Sequence, residues 1–241
     1  MSTVNKDEID KFSKLADEWW DINGKFKPLH MFNPTRIEFI LDTSLEYYRK
    51  NKNHKLPLKK LKILDIGCGG GLISEPMSRL GADVTAIDAS DKNIKVAKLH
   101  SKKNNLNINY LNTEPENLKL SNKFDIILNL EVVEHVENLD LYLLSCFNLL
   151  KPGGIMFTAT INRTLTSYIK AIVGAEYILR WLPIGTHDWN KFIKPEELEE
   201  KLLNLKFSIN NLTGLSFNPF FQEWKRTKDI SVNYILVAMK N

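Results

Sequence analysis

The sequence of 241 residues is poor in cysteine, because it contains only Cys68 and Cys146, which lie far apart. Two cysteines in a chain of this size do not make a disulfide framework, which predicts a reducing compartment. A run of about 18 apolar residues is also lacking, so we expect no membrane-spanning helix. The first residues carry acids and no apolar segment, so we expect no secretory signal. These absences predict a cytoplasmic protein.

A large excess of one charge sign is lacking too, since 33 Lys and Arg face 29 Asp and Glu and the formal net charge is +4. Nucleic-acid-binding domains carry a concentrated basic face, so we expect no nucleic-acid partner. The lysine-rich run at residues 50–55 is interpreted as a solvated loop, with weak attraction to anionic lipid as the alternative.

Internal repeats and long low-complexity tracts are absent as well, and 43% of the residues are hydrophobic. We therefore predict a single domain over residues 1–241, with an N-terminal helical cap over residues 1–55. Within this cap the apolar spacing predicts three parts: an amphipathic helix at residues 6–20, a turn-rich stretch around Pro28 and Pro34, and a second helix at residues 35–50.

From residue 61 onward, short apolar stretches alternate with longer helical ones. This alternation is typical of a parallel sheet covered by helices on both faces. Two later stretches, 207–215 and 232–239, have no long helix between them and predict an antiparallel hairpin. The strand candidates before them are 61–66, 83–88, 108–111, 124–129 and 155–160. We predict an α/β fold with a doubly wound, mostly parallel sheet of seven strands that ends in a C-terminal antiparallel hairpin.

The most specific segment reads Asp65-Ile66-Gly67-Cys68-Gly69-Gly70-Gly71. Glycine lets a ligand approach the backbone where a Cβ would block it, and open parallel sheets bind ligands at the carboxyl ends of their strands. The dinucleotide fingerprint needs a further glycine at position 72, which is leucine, so an NAD-dependent oxidoreductase is disfavoured. A purely structural turn is the other alternative. The spacing resembles the first motif of class I methyltransferases that use S-adenosylmethionine (SAM), which implies a Rossmann-like fold and SAM as cofactor.

Acidic residues near this glycine loop are predicted to bind the cofactor together with Gly67 and Gly69. Asp65 at the loop entrance suits the zwitterionic tail of SAM and would repel a dinucleotide. Asp88 ends the next strand candidate, where a carboxylate can accept hydrogen bonds from both ribose hydroxyls. Glu114 follows the third strand, in the region that flanks adenine in the methyltransferases, and is our candidate for binding its exocyclic amine. A solvated loop acid is the alternative for Glu114.

The fourth strand is followed by the acidic histidine cluster, which consists of Glu131, Glu134 and His135. In a helix these three predicted catalytic residues would share one face, pointing into the crevice of the glycine loop. Two carboxylates and an imidazole can hold a divalent ion that binds both oxygens of a catechol; oxygen ligands favour Mg²⁺, and the imidazole leaves Zn²⁺ or Mn²⁺ open. Alternatively, His135 is a metal-free general base. A structural or solvated role is the third reading.

Longer motifs are more restricted than the glycine loop. They include Phe26-Lys27-Pro28-Leu29-His30, Val173-Gly174-Ala175-Glu176-Tyr177-Ile178-Leu179-Arg180 and Gly185-Thr186-His187-Asp188. Together they resemble the ubiquinone-biosynthesis O-methyltransferases over nearly the whole chain. The resemblance implies methylation of a phenolic hydroxyl on polyprenyl catechol or demethylubiquinol intermediates, and proximity to other ubiquinone-biosynthesis proteins.

The resemblance also implies four SAM contacts, which map onto Arg36, Gly67, Asp88 and Leu130. A guanidinium can bind the SAM carboxylate with two parallel hydrogen bonds, whereas without the resemblance Arg36 would be an ordinary solvated residue. Metal dependence through the acidic histidine cluster is implied for relatives. Leu130 stands where relatives have methionine, an exchange of similar volume.

The insertion at residues 161–189 is strongly apolar, with Lys170 and Arg180 at its flanks. Aromatic and basic residues around an apolar face suit a helix that lies in a membrane interface. A polyprenyl substrate is held in the bilayer, so we predict peripheral contact with anionic membrane on the cytoplasmic face of the bacterial inner membrane. A core helix or an active-site lid is the alternative.

Two other functions share the glycine loop. One is a SAM-dependent C-methyltransferase that acts on another quinone or a lipid. The other is a non-catalytic SAM-binding component of a biosynthetic assembly, which would need neither base nor metal. The intact acidic histidine cluster argues against the second.

Overall fold

The computed structural model describes residues 3–119, 123–178, 188–219 and 221–241. Its strands are β1 (Lys62–Ile66), β2 (Asp83–Asp88), β3 (Asn109–Asn112), β4 (Phe124–Leu130), β5 (Leu150–Ile161), β6 (Phe207–Asn218), β7 (Glu223–Thr227) and β8 (Asn233–Lys240). They form one sheet in the order β3-β2-β1-β4-β5-β8-β6-β7. Neighbours from β3 to β5 are parallel, and the pairs β5–β8, β8–β6 and β6–β7 are antiparallel. The predicted fold class is confirmed.

Helices cover both faces of this sheet. They are α1 (Lys6–Lys14), α2 (Lys27–Tyr47), α3 (Ser74–Arg79), α4 (Asp91–Lys103), α5 (Leu139–Leu149), α6 (Leu165–Ser167) and α7 (Pro195–Asn204). Ile63 and Leu64 are neighbours in β1 but belong to different buried clusters, one packed against α2 and α4, the other against α5 and α7. The strand is apolar at successive positions because side chains alternate between two covered faces.

The sheet has eight strands and not the seven that we predicted. The additional strand is β7, whose sequence Glu-Trp-Lys-Arg-Thr is mostly exposed and carries no apolar alternation. It pairs with β6 alone, at the edge of the sheet. A charged edge strand is stabilised by its ladder hydrogen bonds and not by burial, so the hydrophobic pattern did not reveal it. The predicted pairing of the two terminal stretches is confirmed as β6 with β8.

The N-terminal cap differs from the prediction in both helices. Helix α1 ends at Lys14, and a separate 3₁₀ turn follows at Ala16–Glu18. Helix α2 begins at Lys27, so the predicted turn-rich stretch is helical. Pro28 lies in its first turn, where a missing N–H costs nothing. Pro34 lies inside the helix, and burial of flanking side chains such as Phe32 and Phe39 stabilises the helix despite the lost hydrogen bond.

Residues 3–20 lie across the carboxyl ends of the parallel strands and are held there by contacts with the rest of the chain. Thr3 donates its backbone N–H to Glu116 Oε1 at 2.6 Å, and Val4 forms a β-bridge with Val136. Trp20 donates its indole N–H to the carbonyl of Gly70 at 2.9 Å. The cap therefore closes over the edge of the sheet at which parallel strands place their ligand sites.

The apolar insertion contains α6 and a π-helix at Tyr168–Ile178. Leu165 and Ile169 are 73% and 53% exposed, which is unusual for large apolar side chains. Its remaining part, with Arg180 and residues 179–187, lies outside the described residues. In the described part of the chain, no helix combines the length and apolarity needed to span a bilayer.

Candidate active site

A cavity of about 250 Å³ lies beneath the N-terminal cap, at the carboxyl ends of β1, β2 and β4. Parallel strands end at one edge of a sheet, so residues far apart in sequence meet there. All but one of the residues predicted for the site line this cavity: Arg36, Asp65, Gly67, Gly69, Asp88, Leu130, Glu131, Glu134 and His135.

Glu114 is the exception, because it does not line the cavity. Its Oε2 accepts a hydrogen bond from the Asn117 side chain at 2.8 Å, within the 3₁₀ turn that follows β3. The structure therefore places Glu114 in a local turn contact, which agrees with the alternative reading of a loop acid.

The glycine loop lines the cavity and also makes room for the protein's own side chains. A Cβ on Gly69 would lie 2.4 Å from the Trp19 ring, and a Cβ on Gly67 would lie 2.5 Å from Val132. Both glycines also have positive φ, at 52° and 69°, which disfavours a side chain. The loop backbone is thus held against the N-terminal cap on one side and lines the cavity on the other.

Asp88 accepts three hydrogen bonds that position this loop and the residues after β2. Its Oδ2 accepts from the Gly69 N–H at 2.9 Å, and its Oδ1 accepts from the Ser90 N–H at 2.8 Å and the Asn93 amide at 3.1 Å. Burial raises the pKa of Asp88, although these donors oppose the change. A carboxylate offers about four lone-pair sites, so further donors can bind beside the three already present.

Asp65 is buried at the end of β1 and accepts a hydrogen bond from Ser74 Oγ at 2.5 Å. Burial raises its pKa to about 7, while Ser74 and the charge of Arg36 oppose the rise. Asp65 is therefore a group that can carry or lose a proton near neutral pH at the entrance of the glycine loop.

Arg36 projects from α2 and is only 2% exposed. Its Nη1 lies 3.1 Å from Glu131 Oε1, and its Nε and Nη2 donate to Asn33 Oδ1. Burial and the nearby charge of Glu134 raise the pKa of Glu131, whereas Arg36 lowers it. The solvated helix position considered for Arg36 is thus excluded, and its guanidinium is part of the cavity wall.

The acidic histidine cluster does not lie on one helical face. Only a single 3₁₀ turn forms, at Val133–His135, and Glu131 precedes it with φ of 58°. Consequently the three side chains go to different partners: Glu131 to Arg36, Glu134 Oε2 to Thr160 Oγ1 at 2.9 Å, and His135 Nδ1 to Glu8 Oε2 at 3.2 Å.

This arrangement does not fit the predicted divalent ion. Glu134 Oε1 is buried and has no hydrogen-bond partner in the described part of the chain, so it has the free oxygen that a ligand needs. The cluster's other two members already face opposite charges in other directions. Across residues 3–119, 123–178, 188–219 and 221–241, no group of three or more His, Cys, Asp and Glu side chains is placed to hold a metal ion.

His135 is half-buried and titrates differently from a free histidine. Burial disfavours its charged form, but the contact with Glu8 and the charge of Glu134 outweigh burial, and the pKa of His135 is raised. Contact with His135 in turn lowers the pKa of Glu8 to about 2. The two groups therefore form an ion pair whenever the imidazole is protonated.

Sequence reasoning missed the part of the cavity wall that the N-terminal cap provides. The missed residues of the cap are Glu8, Phe12, Trp19, Phe26 and Asn33, and Asn93 of α4 was missed as well. Trp19 stacks on Phe26 with ring centroids 3.7 Å apart and donates its indole N–H to Asn93 at 2.9 Å. The amphipathic pattern predicted a helix here, but such a pattern does not say which surface the helix covers.

Comparison with known proteins agrees with this geometry. Residues 64–158 match a methyltransferase domain family. The chain is 57% identical to a ubiquinone biosynthesis O-methyltransferase of Pelagibacter ubique, over the full length of both. It is 50% identical to the one of Mesorhizobium japonicum, over 99% of this chain and 96% of that protein.

The fold is similar to that of magnesium protoporphyrin IX methyltransferase from Synechocystis with bound SAH. The TM-score is 0.67 and the identity is 19%, over 96% of this chain and 97% of the other. That similarity establishes the fold, and the two full-length relatives establish the family. The chain belongs to the ubiquinone biosynthesis O-methyltransferases.

Proposed function

We propose that this SAM-dependent methyltransferase methylates a phenolic hydroxyl of a polyprenyl catechol or demethylubiquinol intermediate. In this proposal residues 1–241 act as one domain, whose first 55 residues close the cavity. The observation that carries it is that one cavity holds the glycine loop, Asp88 and a half-buried imidazole, His135. The full-length relatives, which are ubiquinone biosynthesis O-methyltransferases, support the pathway.

The charges in the cavity favour a cationic ligand. Five carboxylates line it (Glu8, Asp65, Asp88, Glu131 and Glu134), whereas Arg36 is the only lysine or arginine among the described lining residues. SAM carries a sulfonium and an ammonium against one carboxylate, so its net charge complements this wall. A pyrophosphate would be repelled by it, which disfavours a dinucleotide.

The proposed cofactor contacts follow from these positions. Asp88 accepts from the ribose hydroxyls, and Arg36 binds the carboxylate of the amino-acid tail, which Asp65 also faces. Gly67, Gly69 and Leu130 contribute backbone contacts along the cavity floor. No cofactor contact is assigned to Glu114, because it lies outside the cavity wall.

When bound, SAM supplies an electrophilic methyl group on its sulfonium. His135 acts as the general base: its Nδ1 faces Glu8, so the hydroxyl proton of the substrate passes to Nε2. The remaining contribution of the chain is alignment of the phenolic oxygen with the methyl group in a closed cavity. This route needs no metal and no nucleophilic side chain.

We also propose peripheral contact with anionic membrane through the exposed apolar residues of the insertion. Leu165, Tyr168 and Ile169 are 73%, 44% and 53% exposed. We expect Leu165→Ser/Ile169→Ser to lose flotation with vesicles that contain phosphatidylglycerol, while methylation of a short-chain substrate in solution is retained. Equal flotation of both proteins contradicts this contact.

The central experiment is methylation of a short-chain catechol by purified protein and labelled SAM, with and without EDTA. We expect an O-methylated product at an unchanged rate in EDTA. His135→Asn should lower kcat by about 10²- to 10⁴-fold while SAM still binds. The control His54→Asn, at an exposed histidine, should leave kcat unchanged.

Methylation on carbon would identify a C-methyltransferase. SAM binding without turnover would identify a non-catalytic component. Loss of activity in EDTA would show that the reaction requires a divalent metal ion.

A further inference from the structure

We propose that Glu8 is a positioning residue for methyl transfer: through its contact with Nδ1 it holds the His135 ring with Nε2 directed to the substrate. The proposal rests on the proposed role of His135 as general base. Glu8 belongs to the N-terminal cap, 127 positions before the histidine in sequence. Only the folded chain brings them together.

The carboxylate of Glu8 is placed against the ring from one side. Its Oε2 lies 3.2 Å from His135 Nδ1. That oxygen is buried and has no hydrogen bond within the described chain, so the nearby imidazole compensates its charge through an ion-pair contact. The edge of the Phe12 ring packs against the imidazole at 5.4 Å between centroids, one helical turn after Glu8.

Helix α1 is itself anchored at both sides of this contact. Asn5 caps the helix by accepting from the backbone N–H of Asp7 at 2.9 Å and of Glu8 at 3.3 Å. The preceding residue, Val4, forms its β-bridge with Val136, the residue directly after His135. The two segments are thus held in register, so the position of the carboxylate relative to the ring is defined by the backbone.

A carboxylate at Nδ1 selects the tautomer that a base needs. The negative charge of Glu8 favours the tautomer that keeps its proton on Nδ1, which leaves the lone pair on Nε2 and restrains rotation of the ring. The other charged groups around the pair are Lys11 on α1, Glu134 on the histidine's own turn, and Lys191, whose Nζ lies 3.6 Å from Glu8 Oε1. Lys191 balances the second oxygen of Glu8 and leaves the first to the ring.

The test compares Glu8→Gln and Glu8→Asp with Glu116→Gln. Glu116 also fastens the N-terminal segment, by accepting from Thr3 N and Oγ1 at 2.6 and 2.9 Å, but it does not line the cavity. We expect Glu8→Gln to lower kcat by about 10- to 100-fold, less than loss of the base itself, with the KM for catechol and the Kd for SAM within about twofold. Glu8→Asp should retain more activity, and Glu116→Gln should be close to wild type.

A second readout does not depend on turnover. Imidazole ¹⁵N shifts, assigned with His135→Asn, should show the Nδ1–H tautomer in wild type and in Glu116→Gln, and a shift toward Nε2–H in Glu8→Gln. An unchanged tautomer, or equal loss of kcat in Glu8→Gln and Glu116→Gln, overturns the proposal. If His135 is not the base, His135→Asn stays active while the tautomer in wild type still responds to Glu8→Gln. Failure of the proposed function is thereby distinguished from failure of the positioning role of Glu8.

Discussion

The buried guanidinium of Arg36 lies 3.1 Å from the carboxylate of Glu131, a residue with left-handed backbone at the end of β4. The ion pair joins the N-terminal cap to the strand that precedes the proposed base. This ion pair also uses Nη1, one of the guanidinium nitrogens that are proposed to bind the SAM carboxylate. In the proposed complex, Arg36 shares its donors between Glu131 and the SAM carboxylate.

Replacing Arg36 should weaken cofactor binding. Arg36→Lys keeps the charge but loses the planar fork, and each charged hydrogen bond contributes about 1.5–3 kcal/mol. We expect SAH to bind about 10- to 100-fold more weakly in calorimetric titration. Arg79→Lys, at a half-exposed arginine paired with Glu75, is the matched control and should bind as wild type. Equal affinity of the Arg36 variant would remove Arg36 from the cofactor site.

Removing the charge of Asp88 should affect both the loop and the cofactor. Asp88→Asn loses an acceptor for the Gly69 N–H or the Ser90 N–H, so a buried donor is left weakly paired, at a cost of about 1–3 kcal/mol. We expect a lower melting temperature and loss of measurable SAH binding. Asp91→Asn, three residues later on the exposed surface, should leave binding intact. A variant of Asp88 with normal affinity would contradict the ribose assignment.

The packing of Trp19 on the glycine loop can be separated from backbone strain. Gly69 and Gly153 both have positive φ, but a Cβ on Gly69 would meet Trp19 at 2.4 Å, whereas nothing lies within 4 Å of one on Gly153. Gly153→Ala should therefore cost about 1–2 kcal/mol from strain alone. Gly69→Ala should cost about 1–3 kcal/mol more. Denaturant unfolding measures both free energies, and equal losses would show that the Trp19 contact is unimportant.

The activity should rise with pH as His135 loses its proton. The Glu8 contact and the charge of Glu134 raise the pKa of His135, so the neutral base appears at a higher pH than for a free histidine. We expect the acidic limb of kcat/KM to have its midpoint above about 6.5, the ordinary value for histidine. In Glu8→Gln the limb should move to lower pH. If the acidic limb of kcat/KM has the same midpoint in wild type and in His135→Asn, the limb reports the titration of another group, such as Asp65.

Much of the site could be predicted because its signals are local. Asp65, Gly67 and Asp88 lie at the carboxyl ends of apolar strands. Parallel strands bring these ends together, so position in sequence already implies position in the cavity. The acidic histidine cluster was placed correctly at the cavity but not in conformation. Its left-handed Glu131 is stabilised by Arg36 on another element, which no local spacing reveals.

The sequence alone determined the α/β class, the alternation of parallel strands with helices and the position of the glycine loop, since each depends on periodicity or on conformations that glycine permits. Tertiary structure alone decided that α2 continues through Pro34, that β7 forms at the edge, and that Trp19 and Glu8 close the cavity. These features depend on contacts between residues far apart in the chain, whose energies exceed local preference and leave no local pattern.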